Sequence, residues 1–290
     1  MCRAGNEWGQ EYKNYLKPKD AAIGSKKTWD YFKYGYAIKN FWKDGYERNK
    51  NFENLVTVGM RGEADSSLNL TLSDSILNLK NVITEQLSIM QNAGGKNGKL
   101  PPTMLCLYKE VEEYWYGGIE NGKKIEGLKD WNVKGVNPLD NTVIMLCDDN
   151  FGNLRTVPIE NERNRKGGWG MYYHFDYVGG PHSYKWISTN QLEKTWENMT
   201  SAYEYGIRDV WIVNVGDFKP MEINTSYFLD LAYDYEKYSN ADATYAYYKE
   251  WAKQQFGSLC DAKTVDEIST ILRDYLKMNG ARKPEKMFPS

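Results

Sequence analysis

Two patterns of apolar residues alternate along the chain, and each predicts a different element. Short runs rich in β-branched and aromatic residues predict strands, whereas apolar residues that recur every three or four positions predict amphipathic helices. The clearest helical pattern extends from Leu72 to Met90, where one face carries Ile76, Leu79, Val82, Ile83, Leu87 and Met90. Ser73 is of a residue type that caps helix N-termini, so we expect it to be the N-cap.

Strand-like runs and helical patterns follow one another along most of the chain. The runs lie within residues 54–65, 103–111, 141–150, 168–180 and 209–217. The other helical patterns lie at 28–49, from 112 onward, and at 191–205, 226–232, 241–257 and 264–280. Repeated strand-then-helix units predict a parallel sheet with helices on its outside.

Polar residues follow every predicted strand. They are Arg61, Glu63 and Asp65; Lys109 and Glu110; Asp148, Asp149 and Asn150; His174 and Asp176; and Asn214 and Asp217. A (β/α)8 barrel places functional residues at all its carboxyl strand ends, whereas a doubly wound sheet gathers ligands near one switch point. The pattern therefore favours a barrel, although the predicted strands are too few to close one.

Composition excludes some functions and favours another. The formal net charge of −2 provides no basic field for nucleic acid, and no apolar run approaches the ~20 residues that span a bilayer. The 23 Tyr, 10 Trp and 9 Phe suit stacking on sugar faces, although a tyrosine-rich core and surface is the alternative. Cys106 and Cys147 lie in apolar runs without metal-type spacing, so we expect small buried residues.

Two acids at neighbouring predicted strand ends, Glu110 and Asp65, have the chemistry of a glycosidase pair. Glycosidases whose two carboxyl groups lie about 5–5.5 Å apart retain the anomeric configuration, and those whose carboxyl groups lie about 6.5–9.5 Å apart invert it. Arg61 offers a guanidinium that can clamp an anionic substrate group. The alternatives are ordinary solvated acids, and a salt bridge from Arg61 to Glu63 or Asp65.

The run of Asp148, Asp149 and Asn150 offers oxygen ligands, but its spacing matches no calcium loop, so we predict no metal. We expect one aspartate to accept hydrogen bonds within the structure and Asn150 to point at a ligand. His174, within GMYYHFDYVGG, is either a hydrogen-bonded core histidine or a ligand contact.

Six stretches of the sequence are long and unusual enough to indicate a family. They are RNKNFENLVTVGMRGEAD, LYKEVEEYW, LCDDNFGNLRTVP, YYHFDYVGGPHSYKWI, VWIVNVGDFKPMEI and WAKQQFG. In this order they resemble glycoside hydrolase family 115, the xylan α-1,2-glucuronidases. The resemblance implies a TIM-like barrel that releases glucuronic acid, or its 4-O-methyl ether, from glucuronoxylan or aldouronic oligosaccharides. It also implies an inverting acid/base mechanism without a cofactor, a periplasmic or extracellular location, and a homodimer in the full-length family.

Matched motif by motif, the resemblance also assigns roles to single residues. Glu110 of YKEV and Asp65 of MRGEAD resemble the family's proposed catalytic carboxylates. The resemblance does not assign which of the two is the acid and which is the base. The residues expected to contact the substrate are Arg61, Asn150, His174, Lys109, Asp149 and Tyr173. Arg61 also fits the chemistry, because the sugar carries a carboxylate.

The family's members are several-fold longer, so the resemblance implies a fragment. The expected fold is α/β, a partial TIM-like (β/α)8 barrel over residues 1–235 that lacks its first strands. A helical segment over 236–290 would then lead into a C-terminal helical domain. An insertion over 116–141 is polar and contains glycine, so we expect an extended surface loop. The alternative function is a non-catalytic carbohydrate-binding remnant, a truncated and inactive fragment.

Overall fold

The computed structural model describes residues 9–62, 66–177 and 187–281. The helices in these ranges are α1 (Gly9–Lys13), α2 (Pro18–Ala21), α3 (Ser25–Thr28), α4 (Tyr31–Asn49), α5 (Leu72–Ala93), α6 (Val111–Tyr116), α7 (Leu192–Glu204), α8 (Glu222–Tyr233), α9 (Tyr235–Tyr238), α10 (Ala241–Phe256) and α11 (Ala262–Gly280). The strands are β1 (Val56–Thr57), β2 (Thr103–Cys106), β3 (Gly117–Glu120), β4 (Lys123–Glu126), β5 (Thr142–Cys147), β6 (Trp169–His174) and β7 (Val210–Asn214).

The chain divides into two compact units, and the boundary between them falls within β5. The first unit is Met1–Met145 with Arg165–Gly168, and the second is Leu146–Asn164 with Trp169–Ser290. We describe each unit by itself. The sequence predicted a different division, after residue 235, and that domain boundary stays a prediction.

The strands pair in parallel, in the order β1-β2-β5-β6-β7. In the first unit Val56 lies opposite Thr103, and Thr103 lies opposite Thr142. In the second unit β6 and β7 run in register up to His174 and Asn214. The predicted parallel sheet is therefore confirmed, and the mixed α/β fold is consistent with a partial barrel.

Helix α5 confirms the clearest helical pattern, and the predicted apolar face packs into the core of the first unit. The expected N-cap was wrong. Thr71 is the N-cap, since its hydroxyl accepts a hydrogen bond from the backbone N–H of Asp74. Ser73 lies inside the first turn, and its hydroxyl donates to Glu120.

The insertion over 116–141 is not the extended loop that its composition predicted. Strands β3 and β4 form an antiparallel hairpin, closed by Asn121 and Gly122 at φ 50° and 74°. Positive φ at both central residues is the geometry of the two-residue Asn-Gly hairpin turn. Leu128 and Leu139, farther along the insertion, are fully buried. The insertion is therefore an ordered part of the first unit.

The second unit packs aromatic side chains of β6 against α8. The ring of Tyr173 stacks on that of Phe228 with centroids 6.2 Å apart. Helices α10 and α11 begin at the side-chain N-caps Asn240 and Asp261, which confirms the two helical patterns near the end of the chain. Whether they open a separate helical domain stays a prediction.

Two smaller expectations concern burial and membranes. Cys147 is buried as expected, whereas Cys106 is only partly buried. Within the described ranges, no helix has the length and apolar character needed to cross a membrane.

Candidate active site

Arg61 and Glu110 form a bidentate ion pair in the first unit. Nε of Arg61 lies 2.9 Å from Oε1 of Glu110, and Nη2 lies 2.9 Å from Oε2. The side chains are only 17% and 21% exposed. Two parallel hydrogen bonds fix the planes of both groups against each other. The structure therefore brings two predicted site residues together.

The second predicted catalytic carboxylate, Asp65, lies outside the described residues, as does Glu63. These are also the two acids that the sequence offered as alternative partners for Arg61. The carboxylate separation that distinguishes inverting from retaining glycosidases therefore stays a prediction for Glu110 and Asp65.

The backbone around Arg61 is held by side chains from two helical regions. Nε1 of Trp29 donates to the carbonyl of Arg61 at 3.0 Å. Gly59 donates its N–H to Oε1 of Gln86 at 2.7 Å and accepts from Nε2 of the same side chain at 3.1 Å. Gly59 has φ +105°, and a Cβ there would lie 3.1 Å from the Leu105 side chain, so glycine is required. Strand β1 ends at Thr57, earlier than the sequence predicted. Beyond that point these side chains hydrogen-bond to backbone groups that strand pairing would otherwise satisfy.

Glu110 follows β2 and immediately precedes α6. The residue before it, Lys109, has φ 54°, which is uncommon for a residue with a side chain and frequent at functional sites. Nζ of Lys109 lies 4.9 Å from the ring centre of Tyr108, and Cζ of Arg61 lies 5.8 Å from the same centre. The ring of Tyr108 thus contacts both Lys109, the neighbour of Glu110 in sequence, and Arg61, the ion-pair partner of Glu110.

Asp148 and His174 form a buried pair in the second unit. Oδ1 of Asp148 lies 2.6 Å from Nδ1 of His174, and Oδ2 accepts the backbone N–H of His174 at 2.8 Å. The side chains are 0% and 1% exposed, respectively. Asp148 also accepts the backbone N–H groups of Asn150 and Gly152. It is the structural acceptor that the sequence led us to expect, and it ties β6 to the loop after β5.

Two residues predicted to contact sugar, His174 and Tyr173, are buried in the second unit. The imidazole of His174 packs on the ring of Tyr172, with centroids 4.4 Å apart. The hydroxyl of Tyr173 donates to the carbonyl of Gly152, and burial raises the pKa of this phenol far above its usual range. The geometry favours the core-histidine alternative for His174, and sugar contacts by both residues stay predictions.

The loop after β5 holds the other two predicted contacts, Asp149 and Asn150. Asp149 accepts the backbone N–H groups of Phe151 and Asn153 and the side-chain amide of Asn153. Burial raises the pKa of Asp149, but these hydrogen bonds outweigh burial and lower it below its usual value. Oδ1 of Asn150 is buried and, in the described part of the chain, accepts no hydrogen bond. Such atoms are rare in folded proteins.

Sequence reasoning missed two residues that shape the site, Tyr108 and Gln86. A signal existed for each. Tyr108 directly precedes the Lys109–Glu110 pair, and Gln86 is a polar residue on the apolar face of α5. In the ranges that the structure describes, no three side chains of metal-ligating type are grouped together.

Comparison with known proteins adds a family and one solved relative. The family model described as glycosyl hydrolase family 115 matches residues 1–286. A solved family GH115 4-O-methyl-α-glucuronidase, described as having specificity for decorated arabinogalactans, is 30% identical to this chain with a TM-score of 0.75. The match covers 89% of this chain and 31% of that protein, so this chain spans less than a third of its relative's length. No curated protein matches the chain.

Proposed function

The chain belongs to glycosyl hydrolase family 115, and on this premise we propose that it is a glycosidase for carbohydrates that bear glucuronic acid. The proposed reaction releases glucuronic acid or its 4-O-methyl ether, α-1,2-linked to the xylose units of glucuronoxylan. The solved relative is described as a 4-O-methyl-α-glucuronidase, which supports this sugar as the released group.

The ion pair of Arg61 with Glu110 is the observation that carries the proposal. A uronic acid has a carboxylate, which a guanidinium binds through two parallel hydrogen bonds. In the structure the carboxylate of Glu110 makes those two bonds. We expect the substrate carboxylate to compete for Arg61, so that binding places the sugar directly beside Glu110. The exposed side chain of Lys109 adds a second positive charge there.

We further propose that Glu110 and Asp65 divide the acid and base work of an inverting reaction. One carboxyl group gives its proton to the leaving glycosidic oxygen as the C–O bond breaks. The other takes a proton from the water that attacks the opposite face of the sugar. The products are a β-configured uronic acid and a free xylan hydroxyl.

For the second unit by itself, we propose that Asn150 contacts a sugar. A sugar hydroxyl is a donor, and its bond to the buried Oδ1 would satisfy an atom that otherwise costs free energy. The buried Asp148–His174 pair then serves to hold the loop that carries Asn150.

Replacing Glu110 by glutamine tests the catalytic assignment, because the substitution keeps size and removes proton transfer. We expect release of uronic acid from 4-O-methylglucuronoxylan to fall by at least about a hundredfold. Glu113→Gln, an exposed glutamate on α6, is the matched control and should keep the parent rate. Undiminished turnover by Glu110→Gln would reject the assignment.

Two further measurements test the finer claims. NMR of the first product formed should show the β-anomer, and an initial α-anomer would reject inversion. Calorimetric titration with aldouronic acid addresses the alternative function. Binding without release of uronic acid by the parent protein would favour the non-catalytic carbohydrate-binding module.

A further inference from the structure

The β3–β4 hairpin is fixed to the first turn of α5 by one of its two faces. The carboxylate of Glu120 accepts the backbone N–H of Leu72 at 2.7 Å and the hydroxyl of Ser73. Gly118 lies so close to Leu72 that a Cβ would sit 3.1 Å from its side chain. Since side chains alternate along a strand, Ile119 points to the opposite face.

An open groove of about 470 Å³ lies on the hairpin. It is lined by Tyr116, Ile119, Lys124 and Ile125, together with three glycines of the hairpin. Tyr116 is 42% exposed and Ile119 is 79% exposed. The exposed part of the Tyr116 ring suits the apolar face of a sugar ring, and a lysine suits its hydroxyl or carboxylate groups. Nζ of Lys129 lies 5.7 Å from the centre of the same ring.

The groove lies close to the ion pair of the candidate active site. Glu110 precedes the first residue of α6 and Tyr116 is its last, and six helical residues span about 9 Å. Burial raises the pKa of Tyr114 on this helix; contact with Ser75 of α5 and the charge of Arg61 oppose the shift, and the charge of Glu110 adds to it. Helix α5, to which the hairpin is fixed, also packs against α6.

Building on the proposed function, we propose that this groove is a subsite for the polysaccharide backbone that carries the cleaved uronic acid. A backbone sugar near the branch point stacks on Tyr116, and Lys124 binds its hydroxyl groups or a neighbouring carboxylate. Because Glu120 and Gly118 hold the hairpin in place, the groove is formed before substrate arrives, which reduces the ordering cost of binding.

Tyr116→Ala tests the subsite when substrates of two lengths are compared. The long substrate is 4-O-methylglucuronoxylan, and the short one is the aldouronic acid with a single xylose. We expect kcat/KM on the polymer to fall about threefold to tenfold, mainly through KM, and to stay unchanged on the short acid. The matched control is Tyr233→Ala, a tyrosine on α8 that is 93% exposed, which should change neither value.

Unchanged kinetics of Tyr116→Ala on the polymer, or equal losses on both substrates, would overturn the subsite. Failure of the parent protein to cleave either substrate would instead reject the proposed function. In that case, the subsite is tested by binding: the proteins migrate through gels containing glucuronoxylan, and their retardation by the polymer is compared. Weaker retardation of Tyr116→Ala than of parent and Tyr233→Ala supports it, and equal retardation of all three overturns it.

Discussion

At the scale of single residues, Asp148 shows how one buried carboxylate can organise a loop, here the one that follows β5. It receives hydrogen bonds from His174 and from the backbone N–H groups of Asn150 and Gly152, without exposure to solvent. The loop conformation that buries Oδ1 of Asn150 therefore depends on a side chain that we do not expect to touch the sugar.

Asp148→Asn should destabilise the protein strongly, because an amide cannot accept from all the donors that converge on this carboxylate. We expect the free energy of unfolding, measured with urea, to fall by about 3–5 kcal/mol. The control is Asp149→Asn. The carboxylate of Asp149 is partly exposed and accepts fewer hydrogen bonds, all of them local, so this substitution should lower the free energy of unfolding by about 1 kcal/mol. Equal losses in the two variants would contradict this account.

The sequence led us to Arg61 and Glu110 as candidate site residues, but it did not predict that the two would pair. Arg61 and Glu110 are 49 positions apart, whereas Glu63 and Asp65 are near Arg61 in sequence. Only the parallel pairing of β1 with β2 brings the distant acid to the guanidinium. His174 was ambiguous for the same reason, since its partner lies 26 positions earlier.

At the scale of elements, the periodicity of apolar residues predicted the long helices and most strands. The prediction failed in the insertion, where we weighted overall composition above a local turn signal. Residues 116–141 were expected to be a loop because they are polar and contain glycine. The dipeptide Asn121–Gly122, flanked by residues that can extend, is nevertheless a strong hairpin signal. The N-cap of α5 was misplaced because Thr71 and Ser73 are both good capping residues.

Glu120→Gln should loosen the hairpin from α5, and the effect should depend on pH. The hydroxyl of Ser73 and the backbone N–H of Leu72 hold the pKa of Glu120 below its usual value. A lowered folded-state pKa stabilises the protein above the unfolded pKa of about 4.3, and this is lost as pH falls through the folded value. The urea midpoint of the parent should therefore exceed that of the variant at neutral pH, with the difference shrinking below about pH 4.

The neighbouring strand offers a matched control for this experiment. Glu126 lies on β4 and is exposed, so Glu126→Gln should leave the urea midpoint close to that of the parent at both pH values. A difference between parent and Glu120→Gln that is the same at neutral and at acid pH would show that ionisation of Glu120 does not anchor the hairpin.

At the scale of the whole molecule, the sequence predicted a parallel α/β fold but not the two compact units. The reason is that residues 165–168 return to the first unit while the chain on either side of them belongs to the second. Such a division depends on contacts between distant segments, which the apolar pattern of each segment does not specify.

Net charge leads to a prediction about how an acidic polysaccharide is recognised. The formal charge of −2 provides no long-range attraction, so under the proposed function we expect binding to rest on groups that meet the uronic acid directly, Arg61 above all. At about 0.15 M salt the screening length is already about 8 Å, and partly buried pairs are screened much less than exposed ones. We therefore expect KM for 4-O-methylglucuronoxylan to change less than about threefold between about 0.05 and 0.5 M NaCl.

Arg61→Gln separates local from long-range recognition in the same assay. The variant should raise KM about tenfold or more at every salt concentration, because it removes charge-assisted hydrogen bonds of about 1.5–3 kcal/mol. Since the net charge of the variant differs from that of the parent by a single unit, its salt dependence should stay as shallow. A KM that rises steeply with salt in the parent would instead mean that a charged surface collects the polymer, and the central role given to Arg61 would be wrong.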